Sequence, residues 1–338
     1  MAADHNTAAF ADLADLASVR VGGRALAASD EFFAPKSNLV KPGPAVFIPD
    51  KFTTRGKWMD GWESRRRRSP GHDWCVIKLG MRGRIRGLNV NTAFFTGNFP
   101  THCSIDALDT ARAVAASLAA VDGAPWTRIL EKTALRGDSD NFIPIENEAP
   151  WTHVRLNIYP DGGVARLRVY GDVLVDWKRV APNGRSLDLA AIEHGGLVLA
   201  ASDMHYGAKD NIIMPGRAAN MGDGWETKRR RGPGHDWLIL RLGAPGRVRK
   251  LEIDTNHFKG NYPDSASVDA CHAPGSTLSD LTSRKWTELL PQVKLEAHHR
   301  HFFARELRDA GVVSHLRLNI FPDGGVSRFR VHGTVAAD

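Results

Sequence analysis

The sequence predicts an all-β chain built as two tandem β-sandwich domains from an internal duplication. Three observations predict it: five motifs that recur in order, short alternating or apolar runs in place of helical stripes, and Gly- and Pro-rich turns between those runs.

The motifs fix the repeat. Ala27-Ala28-Ser29-Asp30 returns as Ala200-Ala201-Ser202-Asp203, and Asp60-Gly61-Trp62-Glu63 as Asp223-Gly224-Trp225-Glu226. Gly71-His72-Asp73-Trp74 returns as Gly234-His235-Asp236-Trp237, and Gly97-Asn98-Phe99-Pro100 as Gly260-Asn261-Tyr262-Pro263. Pro160-Asp161-Gly162-Gly163-Val164 returns as Pro322-Asp323-Gly324-Gly325-Val326. A near-constant offset of about 163 residues implies two colinear domains. The first motif is displaced by about ten residues more, which places an insertion around Lys41–Phe52 of the first copy. The boundaries that follow are an arm over residues 1–20, a first repeat over 21–177, a linker over 178–194 containing Pro182-Asn183-Gly184, and a second repeat over 195–338.

Each copy then resolves into strands. Trp74–Leu79 and Trp237–Leu242 are apolar runs; Arg84–Val90 and Arg247–Ile253 follow them after a Gly-containing turn. His153–Tyr159 alternates strictly, and with Val164–Tyr170 across Pro160–Gly163 it reads as a hairpin, repeated at His315–Phe321 and Val326–His332. Ala107–Leu118 reads as a short helix. Many short strands with Gly and Pro turns favour a sandwich or jelly roll in each copy.

Bulk properties narrow the function classes. The chain has 338 residues, 42% hydrophobic and 25% charged, a globular composition far from disorder. No run approaches the roughly 18 apolar residues that span a bilayer, and Met1–Val21 has neither the basic start nor the apolar core of a secretory leader. A membrane role is not expected. The net charge of +7 and pI near 9.4 suit an anionic partner. Cys75, Cys103 and Cys271 form no CxxC pair, so a reducing cytoplasm is expected.

The polar residues kept in both copies are the candidate site. Asp60, Glu63 and His72, with Asp223, Glu226 and His235, are a carboxylate and histidine set fit for proton transfer or metal binding; the alternative is that they cap turns. The spacing is not a standard zinc pattern, which leaves a divalent metal open and no cofactor certain. The runs Arg65–Arg68 and Lys228–Arg231 could grip phosphates, but their guanidinium forks also fit a carboxylate, and the acids beside them favour a compact mixed-charge pocket over a nucleic-acid track. From these runs Arg65, Arg66, Arg229 and Arg230 are the candidate anion binders. Trp62 and Trp225 beside them could stack a ligand. Asn98 and Asn261 could read a urea-like group or close an Asx-turn. Asp30 and Asp203 complete the set. Arg155 and Arg317 alternate with core positions and fall on the opposite, exposed or site-lining face. His298, His299 and His301 form a tract in the second copy alone, expected as solvated surface.

The motifs FFAPKSNLVKP, KWMDGWESRRRR, GHDW in both copies, NTAFFTGNFP, DTNHFKGNYP, RLNIYPDGGVARLRVYG and RLNIFPDGGVSRFRVHG together resemble the allantoicase family, over nearly the whole chain from Val19 to Val335. The resemblance implies two jelly-roll, galactose-binding-like domains, hydrolysis of allantoate to ureidoglycolate and urea, and a homo-oligomer. An anionic substrate with two ureido groups calls for Arg, for carboxylate or amide acceptors, and for a proton carrier. Rival expectations are a non-catalytic, carbohydrate-type jelly-roll binding protein and a nucleic-acid binder.

Overall fold

A computed structural model describes residues 8–110 and 123–336. The chain divides into two compact units, residues 1–174 and 175–338. In the first, the principal strands are β1 (Arg24–Ala28), β2 (Trp62–Glu63), β3 (Asp73–Asn91), β4 (His102–Leu108), β5 (Thr127–Ala134), β6 (Pro150–Tyr159), β7 (Gly163–Val164) and β8 (Arg166–Val173). The second unit repeats them as β9 (Leu197–Ala201), β10 (Trp225–Glu226), β11 (Asp236–Asp254), β12 (Ser265–Cys271), β13 (Thr287–Lys294), β14 (Val313–Phe321), β15 (Gly325–Val326) and β16 (Arg328–Val335).

The two strands expected on either side of a Gly turn are one strand. β3 runs unbroken for 19 residues, as does β11. Its first part pairs with β1 and β6, and its last part with β8 and with Phe142–Pro144. The glycines permit close backbone crossing. A Cβ at Gly80 would lie 2.2 Å from the Val21 carbonyl oxygen, and one at Gly83 2.5 Å from that of Asp172. Glycine here lets one strand serve both layers.

The expected hairpin is also corrected. β6 pairs with β3 and β4, whereas β8 pairs with β3 and Ala14–Asp15; the two are not partners. The turn at Pro160–Gly163 carries the chain from one layer to the other. Both segments alternate because each lines the core from its own layer. Val154, Leu156 and Ile158 of β6 and Leu167 and Val169 of β8 are fully buried, with Ile77, Ile85, Leu88 and Val90 of β3. The second unit has the same order. At the expected arm and linker, Ala14–Asp15 and Leu187–Asp188 join sheet edges beside β8 and β16. Of the expected helix at Ala107–Leu118, Ala107 and Leu108 belong to β4, and residues 111–118 lie outside the described ones.

Candidate functional site at the loop end of each repeat

The site is organised by the short pairing of β2 with β7. Trp62 faces Val164 and Glu63 faces Gly163 in register. Alternation sends Trp62 inward, where it is fully buried, and Glu63 to the other side. The Trp62 indole N–H donates to the Asp30 carbonyl at 2.8 Å, and that of Trp225 to the Asp203 carbonyl at 2.8 Å. The two tryptophans are therefore the floor of the site and offer no face to a ligand. This corrects the expectation that they stack one, and removes the platform on which a carbohydrate-type reading rested.

Glu63 is held by its backbone to Ala34 and by its side chain to the Asn98 amide, which donates to Oε1 at 2.7 Å. The Asn98 carbonyl in turn accepts from the Gly163 amide at 2.8 Å, so the GNFP turn is fastened to the strand that pairs with Glu63. The side-chain amide reads a carboxylate and does not close an Asx-turn. Burial pushes the Glu63 carboxyl above its ordinary value, and the Asn98 hydrogen bond offsets only part of this. In the second repeat Asn261 donates to Glu226 in the same way, and its carbonyl accepts from Gly325 at 2.8 Å. There the Met221 sulfur lies 3.5 Å from the same amide, and Glu226 is buried.

The remaining candidates fall into separate contact sets. Asp30 takes the Arg65 fork, with Nε at 2.7 Å and a terminal nitrogen at 2.6 Å, and also the Arg65 backbone amide. Arg65 is thus engaged within the protein. Lys228, its counterpart, donates its backbone amide to Asp203 at 2.8 Å, but its ammonium stands 3.7 Å away. Arg66 and Arg229 are exposed.

Asp60 is buried against Arg166 at 2.6 Å and accepts from Lys41 and the Val46 amide. Burial raises its carboxyl, but the bonds from Arg166, Lys41 and Val46 more than reverse this and hold it below the ordinary value. Asp223 meets Arg328 at 2.9 Å in the same manner. Each of these two acids braces a buried guanidinium.

His72 packs on Tyr159, with ring centroids 4.7 Å apart, and Nε2 lies 3.3 Å from the Asn157 side-chain oxygen. His235 repeats this with Phe321 and Asn319. Asn157 donates to Asp106, which also binds Arg128 and Arg155; Arg155 lies over the Trp126 ring. Asn319, Asp269, Arg317 and Trp286 repeat that arrangement. Arg155 and Arg317 are therefore half-buried and paired. Among the described residues no hydrogen bond joins His72 to Glu63 or Asp60. His298 and His299 are exposed and His301 half-buried. No group of three or more His, Cys, Asp or Glu among the described residues is placed to hold a metal ion.

Several supports escaped sequence reasoning. Arg67 donates its backbone amide to Asp161 at 2.8 Å and a terminal nitrogen to Asp73 at 3.0 Å. Asp106, Asn157 and Arg166 are also structural partners of candidate residues. Their signal was present: Asp106 and Asp269, and the RLNI segments, recur at the repeat offset.

Comparison with known proteins places these features in a family. A family model described as "Allantoicase repeat" matches residues 14–174 and 187–336. The chain is 50% identical over 328 residues to a protein of Burkholderia mallei named "Probable allantoicase 1", covering 95% of this chain and 94% of that one. It is likewise 50% identical to "Probable allantoicase" of Pseudomonas paraeruginosa, with 98% of each covered. Among solved structures, allantoicase from Saccharomyces cerevisiae superposes with a TM-score of 0.80 at 35% identity, covering 95% of this chain and 92% of the other.

Proposed function

The chain belongs to the allantoicase family and hydrolyses allantoate to ureidoglycolate and urea in purine degradation; from this premise we propose that Glu63 and Glu226, each held by an asparagine amide, handle the ureido group and its proton. The supporting observation is the duplicated Glu–Asn pair at the loop end, whose first copy has a carboxyl raised by burial.

Allantoate carries a carboxylate and two ureido groups on one carbon. In the reaction, the bond from that carbon to one ureido nitrogen breaks, and the nitrogen takes a proton and leaves as urea. Water oxygen bonds to the same carbon and gives up a proton. A carboxyl with a raised pKa can give the proton to the leaving nitrogen and then, as carboxylate, accept one from water. The asparagine fixes one carboxyl oxygen and leaves the other for the ureido N–H groups. His72 and His235 serve as proton carriers toward solvent, since the bond to Asn157 or Asn319 fixes one ring nitrogen and the ring's orientation.

Urea release by Glu63→Gln, Glu226→Gln and the double variant tests the assignment. The double variant is expected to lose kcat by about 100-fold or more, the usual scale of general acid–base help. Wild-type kcat in the double variant would rule the carboxylates out.

We also place the enzyme in a reducing cytoplasm and as a homo-oligomer. The three cysteines are buried and unpaired, and burial pushes the Cys103 thiol up to about 12. Val46, Phe47, Ile48 and Phe52, on the first-repeat insertion, expose apolar surface that a second copy could cover. Sedimentation velocity reads the subunit number; a monomer at micromolar concentration overturns this part. No helix among the described residues is long and apolar enough to cross a membrane.

A further inference from the structure

The two cationic runs align through DGWE before them and GHDW after them. Arg65 stands opposite Lys228, Arg66 opposite Arg229, Arg67 opposite Arg230 and Arg68 opposite Arg231. Arg67 and Arg230 are fixed alike in the two repeats. Their backbone amides donate to Asp161 and Asp323 at 2.8 Å in both. A terminal nitrogen of each donates to one oxygen of Asp73 at 3.0 Å or Asp236 at 2.6 Å. That oxygen also accepts the hydroxyl of Ser29 or Ser202.

A glycine closes each clamp. Gly71 and Gly234 have φ of +128° and +108°, and a Cβ there would lie 3.2 Å and 3.5 Å from the other terminal nitrogen. That conformation favours glycine, and the close approach holds the guanidinium plane.

One donor is left over. In both repeats the Nε–H is buried and has no hydrogen-bond partner. A buried unsatisfied donor is costly and calls for an explanation. Its recurrence in two copies with otherwise matched partners marks a guanidinium whose acceptors are incomplete in the free protein. Nε itself is closed to solvent, but the side chains remain 26% and 32% exposed, so a ligand would meet the guanidinium at its terminal nitrogens.

The position relative to Glu63 supplies the rest. Glu63 pairs with Gly163, and Arg67 is bound to Asp161 of the same turn; Glu226 and Arg230 are fastened likewise to Gly325 and Asp323. The geometry points to Arg67 and Arg230 as the residues that take the carboxylate of the ureide acid. Arg65 is engaged by Asp30. Arg66 and Arg229 are exposed and would lose side-chain freedom on binding. A carboxylate accepts two N–H bonds from one guanidinium, which a lysine ammonium does not reproduce. The assignment rests on the loop end being the active site.

Arg67→Lys/Arg230→Lys and Arg67→Ala/Arg230→Ala enzymes test it through urea release. In the Lys pair KM for allantoate is expected to rise about 30-fold, near the loss of one charge-assisted bidentate contact, with kcat within about threefold. In the Ala pair, millimolar methylguanidinium should restore part of kcat/KM while leaving Glu63→Gln/Glu226→Gln unimproved. A KM within twofold of wild type in the Lys pair overturns the assignment. So does a loss in the Ala pair that methylguanidinium does not recover. The Glu variants report on kcat, so failure of the carboxylate roles is read separately from failure of the arginine role.

Discussion

Arg166 is 3% exposed, and its charge is met by Asp60, whose backbone carbonyl accepts from the same guanidinium at 2.7 Å. Removing one partner of a buried pair leaves an uncompensated charge, at a cost of about 3–5 kcal/mol. Asp60→Ala should therefore lower the unfolding free energy by that amount, read as a fall in the urea midpoint, while Asp60→Ala/Arg166→Met recovers most of the loss because both charges are gone. A single variant with unchanged stability would show that the pair does not support the fold. The acid of DGWE looked catalytic because it recurs with Glu63 and His72 in both copies. Its partner lies 106 residues away in sequence, and no local spacing reveals which of many arginines that will be. The same limit concealed Trp62: a tryptophan beside an arginine run looks like a platform until alternation in β2 buries it.

At the scale of elements, the alternating runs showed which segments are strands and which side of each faces the core, because the period of two survives any choice of partner. Pairing was less legible. β6 and β8 read as a hairpin because four residues separate alternating segments, yet each lines the opposite layer of one core. The glycines that decide this, Gly80 and Gly83, mark close backbone crossings that require the third dimension to recognise. The pairing of β2 with β7 depends on another. A Cβ at Gly163 would lie 1.9 Å from the Phe95 ring, and one at Gly325 would lie 2.0 Å from the Phe258 ring. Gly163→Ala must displace a buried ring, an overpacking cost of about 1–3 kcal/mol. Because Gly163 pairs with Glu63, the displacement also moves the carboxylate. The variant should lose more activity than a surface substitution of equal effect on Tm, measured by urea release at a temperature where both proteins remain folded. Equal activity at matched stability would separate the strand from the chemistry.

For the molecule as a whole, the duplication was the most legible feature, since five motifs in order leave little room for another plan. It also distributes three thiols unevenly. Cys75 and Cys103 lie in the first unit and Cys271 in the second. The first two are fully buried and the third is 9% exposed. Burial raises all three thiols above their ordinary value, so the reactive thiolate is scarce as well as shielded. An aromatic disulfide reagent at neutral pH should therefore titrate fewer than one thiol per native chain within an hour and all three in concentrated urea. Labelling followed by mass mapping along a urea series then reports each unit through its own cysteines. Asp60→Ala should bring Cys75 and Cys103 into reaction at lower urea than in wild type, because the uncompensated Arg166 charge destabilises the unit that buries them. Rapid modification of Cys75 or Cys103 in native wild-type protein would mean that the first unit opens more readily than its packed core requires. It would also weaken the inference that unpaired cysteines reflect burial in a reducing compartment.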